Sequence, residues 1–294
     1  MEEVFPLGPD MPLVVPLKRP ADLDRVGEVS QRVAETFGAP IEVVAILCPD
    51  DDVVEEFSRF AAQVDMLGNG VEVDVSLRII ISEQTPETFF SYCAGATTCM
   101  ATSASPFKDG HYVGSFAAGL LAKTTAPVLL VGPSVPAGSA APYAEVVAAV
   151  SDSAESQKVI PVARAFASTL DLPMARVSID TDAGIVYTSR YQDPEDCLPD
   201  SVRASMTPGA IDADQVDETI LERNEGTLLA VATHARQGLA WIAEGSVAFS
   251  LVSESNAPVL VIGPHYRAPD DEGSGPEGAE SDGEVVILGV LDHD

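Results

Sequence analysis

Val231 to Pro264 reads V-A-T-H-A-R-Q-G-L-A-W-I-A-E-G-S-V-A-F-S-L-V-S-E-S-N-A-P-V-L-V-I-G-P. An apolar run (Leu228 to Ala232) gives way to a polar loop. Gly245-Ser246 then opens a helix-like stretch, and Ala257-Pro258 leads into a second apolar run. The order is strand, loop, helix, strand. Backbone N–H groups at the start of such a helix lack intrahelical partners and face the loop, with the positive end of the helix dipole behind them. An anion fits there.

The same stretch has a twin earlier in the chain. Ser91 to Ser134 laid on Glu222 to His265 without a gap gives 14 identities in 44 positions. They include Gly95/Gly226, Ala101-Thr102/Ala232-Thr233, Gly114-Ser115/Gly245-Ser246, Ala126-Pro127-Val128-Leu129/Ala257-Pro258-Val259-Leu260 and Gly132-Pro133/Gly263-Pro264. Similarity of this length implies a duplicated supersecondary unit. The chain therefore reads as two similar domains in tandem, residues 1–137 and 138–267, followed by an acidic tail, 268–294.

Composition narrows the class. The 294 residues are 46% apolar, enough for each half to bury a core of its own. The 46 acidic residues outnumber the 16 basic ones, for a net charge of −30. So negative a surface repels phosphate backbones and anionic lipids, which argues against nucleic-acid and membrane partners. It also opposes ATP unless Mg²⁺ or a local positive site compensates; such acidity is common in proteins that work at high salt. No apolar run nears the roughly 20 residues of a membrane span. The opening Met-Glu-Glu-Val-Phe-Pro is not a signal peptide, so a cytoplasmic location is expected. Cys48, Cys93, Cys99 and Cys197 form no CxxC pair and share no metal spacing with histidines, so neither zinc nor a disulfide framework is implied.

Leu13 to Leu17 is a short strand, and Pro20 and Asp22 mark a helix start. Val26, Val29, Val33 and Phe37 recur at helical spacing up to Gly38, where a C-terminal cap belongs. Ile41 to Leu47 is a nearly continuous apolar run, suited to a strand covered on both faces. The spacing predicts a helix from Asp50 to Met66 and a strand from Val71 to Ile81. A short helix at Thr85 to Tyr92, a strand at Ala96 to Ala101, a helix at Val113 to Lys123 and a strand at Val128 to Val131 complete the half. Ser134 to Pro142 is the clearest linker.

Beyond the linker, Val146 to Val150, a helix from Glu155 to Leu170 and Ala175 to Ile179 repeat the first half at an offset of 133. Asp182 to Pro199, with Gly184, Pro194 and Pro199, reads as mostly loop. Ser201 to Met206 reads as a strand and Ala213 to Asn224 as a helix. Strands alternating with helices predict parallel α/β sheets. In the tail, Val285 to Leu291 is an apolar run that should add to a sheet edge, in this chain or in a partner.

The Val231 to Pro264 stretch resembles the phosphate-binding segment of the universal stress protein family: Gly, two residues, Gly, nine residues, then Gly-Ser or Gly-Thr. Gly245-Ser246 matches its end, and Thr233, His234, Arg236 and Gly238 resemble its common loop residues. The two leading glycines are replaced by Ala232 and Ala235, whose methyls narrow the approach to the backbone and restrict positive φ.

The resemblance implies two Rossmann-like domains of the adenine nucleotide α-hydrolase type, each a five-stranded parallel sheet of order 3-2-1-4-5. The fifth strands, Val128 to Val131 and Val259 to Ile262, would pair within the chain as an internal pseudo-dimer, with a homodimer also open. It further implies an ATP or AMP site, with Mg²⁺, in the second half: Val150, Asp152, Val231, Ala232, His234, Ala235, Arg236, Gly238, Gly245, Ser246 and Val247. Asp152, followed by Ser153, would accept from the ribose hydroxyls; equally, the two could simply cap the next helix. Arg236 would offset phosphate charge.

The first half departs further from that motif. Arg19 aligns with Asp152, or Lys18 with a shift of one residue, Phe107 aligns with Gly238, and the loop lacks the His, Arg and last Gly, so this half is expected to be structural. His111, His234, His265 and His293 have no sequence-local nucleophile or orienting carboxylate, and no G-x-S-x-G elbow or P-loop lysine occurs. Binding rather than catalysis is therefore expected. Three roles stay open: a nucleotide-binding stress-response regulator, a scaffold acting through protein partners without nucleotide, and a weak ATP-hydrolysing enzyme.

Overall fold

The computed structural model describes residues 5–17, 19–69, 72–82, 100–103, 115–136, 143–150, 153–180, 185–191, 226–233, 251–252, 255–266 and 286–287. In the first half lie strands β1 (Leu13–Leu17), β2 (Ile41–Leu47), β3 (Val75–Ile81), β4 (Met100–Ser103) and β5 (Val128–Val131). The second half holds β6 (Glu145–Val150), β7 (Met174–Asp180), β8 (Ile185–Tyr191), β9 (Thr227–Ala232) and β10 (Val259–Ile262), and the tail holds β11 (Val286–Ile287). The helices are α1 (Leu23–Phe37), α2 (Val53–Gly68), α3 (Ser115–Leu121), α4 (Ala154–Gln157) and α5 (Val159–Thr169), with a 3₁₀ turn at Pro20–Asp22.

The strands form one eleven-stranded sheet in the order β11-β3-β2-β1-β4-β5-β10-β9-β6-β7-β8. Pairing is parallel except at three junctions: β5 with β10, β7 with β8, and β3 with β11. The β5–β10 junction joins the two halves, with Val259 opposite Leu130, Leu260 opposite Leu129 and Val261 opposite Val128. These six side chains are completely buried.

Strands β1, β5, β6, β9 and β10 divide their apolar residues between two cores with a period of two. Leu13, Val15 and Leu17 of β1, Val146, Ala148 and Val150 of β6, and Leu260 and Ile262 of β10 face a core shared with α1, α2 and α5. Val14, Val147, Ala149, Val259 and Val261 face a second core, with α3 and residues 251–252. Burying each of these larger side chains contributes about 1.5–3 kcal/mol.

Two features recur at matching positions of the halves. Helix α1 ends at Gly38 in the left-handed conformation (φ 62°), with Gly38 N–H donating to Glu35 O at 3.2 Å and Ala39 N–H to Ala34 O at 2.9 Å. At the offset of 133, Asp171 (φ 52°) follows α5, with Asp171 N–H donating to Ser168 O at 3.2 Å and Leu172 N–H to Ala167 O at 2.8 Å. The second case places a side chain where glycine is at ease, at a cost of roughly 1–2 kcal/mol. Asp171→Gly is therefore expected to stabilise the protein by about 0.5–1 kcal/mol, after allowance for glycine's unfolded-state entropy. Chemical denaturation would show it as a higher midpoint, and a lowered midpoint would refute the strain.

The other recurrence is a buried hydroxyl before the Ala-Pro of β5 and β10. Thr124 N–H donates to Leu120 O at 2.9 Å and its Oγ1 accepts from Ala126 N–H at 3.0 Å. Ser255 N–H donates to Leu251 O at 2.9 Å and its Oγ accepts from Ala257 N–H at 3.1 Å. Each of these fully buried side chains satisfies a backbone N–H two residues on.

Several local expectations are corrected. Helix α2 begins at Val53 rather than Asp50, because Asp51 Oδ2 accepts from Cys48 N–H at 2.8 Å and Asp52 Oδ1 accepts from Glu55 N–H at 3.1 Å as the N-cap. The helix expected over Glu155 to Leu170 is two pieces, α4 and α5. Within Asp182 to Pro199, expected to be mostly loop, Ile185–Tyr191 is strand β8, antiparallel to β7 with Asp180 opposite Ile185. The second half is thus not a wholly parallel sheet. Four residues separate β7 from β8, a connection too short for a parallel crossover. The expected elements at Thr85 to Tyr92, Ser201 to Met206 and Ala213 to Asn224, and residues 137–142 of the linker, lie outside the described residues.

Candidate functional site

In a parallel sheet, ligands bind beyond the carboxyl ends of strands where successive connections leave in opposite directions. In the second half that point lies between β6 and β9. Strand β6 pairs with β7 on one side and β9 on the other, with Ala149 in register with Val231. Val150 is the last residue of β6 and Ala232 the last of β9. The first half has an equivalent point, where β1 lies between β2 and β4.

Three of the eleven candidate residues are described. Val150 and Val231 are buried core side chains, so any ligand contact there falls to the backbone, while Ala232 is half-buried. Asp152, His234, Ala235, Arg236, Gly238, Gly245, Ser246 and Val247 lie outside the described residues. Thr233, the first loop residue, is buried; its N–H donates to Ile262 O at 2.9 Å and its Oγ1 to the same oxygen at 3.3 Å. That hydroxyl ties the loop to β10. Ser153 caps α4, its Oγ accepting from Ser156 N–H at 3.2 Å and its carbonyl from Gln157 N–H at 3.2 Å. The cap was one of two roles open for the Asp152-Ser153 pair, and Ser153 fills it.

At the corresponding place in the first half, Arg19 is engaged locally. Its Nη2 donates to Asp22 Oδ1 at 2.8 Å, and its backbone N–H to Asp22 Oδ2 at 3.2 Å. The hydrogen bond that Arg19 donates to Asp22 and the attraction of that carboxylate's charge push Arg19 above an arginine's ordinary pKa, against a small opposing effect of burial. The β1 end thus presents a closed ion pair where β6 is followed by Asp152. Sequence alignment paired Arg19 with Asp152 but gave no sign that Asp22 would hold it. Among the described residues no group of three His, Cys, Asp or Glu could hold a metal ion. No helix among them is long and apolar enough to cross a membrane.

A universal stress protein from Archaeoglobus fulgidus DSM 4304 superposes on 86% of this chain and 98% of its own, with a TM-score of 0.53 at 13% identity. The chain has the fold of a universal stress protein. A functionally unknown protein from Pseudomonas aeruginosa PAO1 shares it, covering 86% of this chain and 92% of its own with a TM-score of 0.51 at 15% identity. A universal stress protein from Archaeoglobus fulgidus in complex with dAMP aligns with 41% of the chain at a TM-score of 0.34, too slight a likeness to bear on what this chain holds. No protein-family model matches the sequence, and no curated protein matches it.

Proposed function

We propose that the chain is a universal stress protein-like regulator, built from domains 1–137 and 138–267, that binds ATP or AMP at one site in the second. The observation that carries this is the pairing of β6 with β9 at the point where the strand order reverses, with Asp152 two residues after Val150 in the sequence. The proposed nucleotide lies beyond the carboxyl ends of those two strands. Asp152 accepts from ribose hydroxyls, the backbone and hydroxyl around Gly245-Ser246 hold phosphate, and Arg236 with Mg²⁺ offsets its charge. The Arg19–Asp22 pair leaves no free carboxylate at the Arg19 position, which supports assigning a structural role to the first domain. The antiparallel β5–β10 pairing supports an internal pseudo-dimer.

Calorimetric titration of Mg·ATP and of AMP at low and high salt tests the site. One saturable site per chain is expected, with Asp152→Ala and Ser246→Ala each weakening binding about tenfold, as for the loss of one hydrogen bond to a charged or strongly polar group. No heat and no thermal shift at millimolar nucleotide would end the proposal. Phosphate release above a no-protein control would add a hydrolytic activity.

A scaffold role through protein partners is the second reading. It is favoured by the methyls of Ala232 and Ala235, by the −30 charge, and by the Thr233 hydroxyl being spent on Ile262.

A further inference from the structure

We propose that the outer edge of β3 is a strand-acceptor site filled by the chain's own apolar stretch Val285 to Leu291, of which β11 is the paired part. The inner edge of β3 is fully used, with all seven residues in register with β2 from Val75 opposite Ile41 to Ile81 opposite Leu47. Its faces are covered too: Val75, Leu77, Ile79 and Ile80 are at most 4% exposed. What remains is the outer row of backbone donors and acceptors, which in an apolar strand is a template for another strand. Two positions of that row are taken, Ile81 by Val286 and Ile80 by Ile287, antiparallel.

The sequence on either side of β11 suits the rest of the row. Continued one residue at a time, the register sets Leu288 opposite Ile79, Gly289 opposite Arg78, Val290 opposite Leu77 and Leu291 opposite Ser76. The seven apolar and glycine residues of the run therefore span Ser82 to Ser76. Gly289, which has no side chain, falls beside Arg78, the one charged residue of β3, whose guanidinium is already paired with Glu42 on β2. Glu284 and Asp292 bound the run. A slip of two residues would bring Glu284 opposite Ile81 or Asp292 opposite Leu77, and a slip of one would exchange the faces of every residue.

The tether permits this within one chain. Six strand spacings separate β10 from β11 in the sheet order, about 29 Å at ~4.8 Å each. The 20 residue steps from Tyr266 to Val286 can span up to about 66 Å at ~3.3 Å per residue. In-chain docking is well within the reach of the tether, and it gives the tail an effective concentration on the order of millimolar at the edge. The ligand class is thus a short extended apolar peptide that adds by main-chain hydrogen bonds, and the occupant is the chain's own tail.

The test is fluorescence anisotropy with a labelled peptide E-V-V-I-L-G-V-L-D, corresponding to Glu284 to Asp292, titrated with full-length protein. Ile287→Pro in the full chain removes a ladder donor and frees the edge without touching the sheet behind it; Ile287→Asp serves as a second such variant. Both variants are expected to bind the peptide about tenfold or more tightly than the unaltered chain, whose own tail competes. A peptide carrying Ile287→Pro is expected not to bind. Equal affinity for the altered and unaltered chains, or no binding to either variant, would overturn the proposal. So would a dimer, by light scattering, that dissociates on Ile287→Pro, because the tail would then lie on a second copy.

Discussion

Phe166→Ala is expected to cost about 3–5 kcal/mol of stability, the usual range for truncating a buried phenylalanine. Phe166 is fully buried on α5, with its ring centroid 4.9 Å from Phe5 edge-on, 5.2 Å from Phe37 and 6.0 Å from Tyr143. Phe5 and Phe37 also touch, at 5.3 Å. The cluster draws together the start of the chain, α1 of the first half and α5 of the second. The cavity left by Phe166 would be bordered by the rings of Phe5, Phe37 and Tyr143, with little freedom to collapse because Phe5 and Phe37 are themselves packed. The thermal midpoint should fall by on the order of 10 °C. Phe5→Ala should couple to it, so that the double variant loses less than the sum of the two singles by about 0.5–3 kcal/mol. A loss below about 1 kcal/mol, or strict additivity, would show that the rings do not pack as a unit.

Gly263→Ala has the second largest expected effect, about 1–3 kcal/mol. A methyl placed on Gly263 would lie 2.3 Å from the carbonyl oxygen of Leu121 and 3.7 Å from that of Thr124. Both are backbone atoms, one at the end of α3 and one in the turn after it, and β10 beside them is buried, so neither side can yield as a flexible side chain would. Gly263 is needed here for close approach of two backbones rather than for its dihedral freedom. Gly68→Ala is the control: at the end of α2 its methyl would meet Val75 Cβ at an ordinary 3.9 Å, and a neutral result or a gain up to about 1 kcal/mol is expected. If equilibrium denaturation gave the two substitutions the same cost, the close contact at Gly263 would be wrong.

Legibility differed by element for physical reasons. Helix α1 and its Gly38 terminus could be read directly, because the apolar spacing and a C-terminal glycine are local signals. Strand β8 was missed because Asp182, Gly184, Pro194 and Pro199 around it are turn-formers. The run I-V-Y-T-S-R-Y inside them does carry β-branched and aromatic residues suited to a strand. At the candidate site, Val150 and Ala232 were legible as strand ends. Capping was one of two roles the sequence left open for Asp152-Ser153, and the hydrogen bond from Ser156 N–H decides it for Ser153; that Asp22 holds Arg19 depends on a side-chain contact over three residues that the motif does not encode.

By itself the sequence determined the strand–helix alternation from β1 through α1, β2 and α2 to β3, and the likeness of residues 91–134 to residues 222–265. Both follow from periodicity and identity along the chain, which need no partner element to be seen. The pairing of β5 with β10 was implied by the family resemblance and the tail was expected on a sheet edge, but only the tertiary structure decided that β8 lies beyond β7 and that the edge β11 takes is that of β3. It also decided that Phe5 fills the space between α1 and α5. Edge pairing is made by main-chain hydrogen bonds common to all residues, so its specificity lies in which edges the assembled fold leaves free and which segments can reach them.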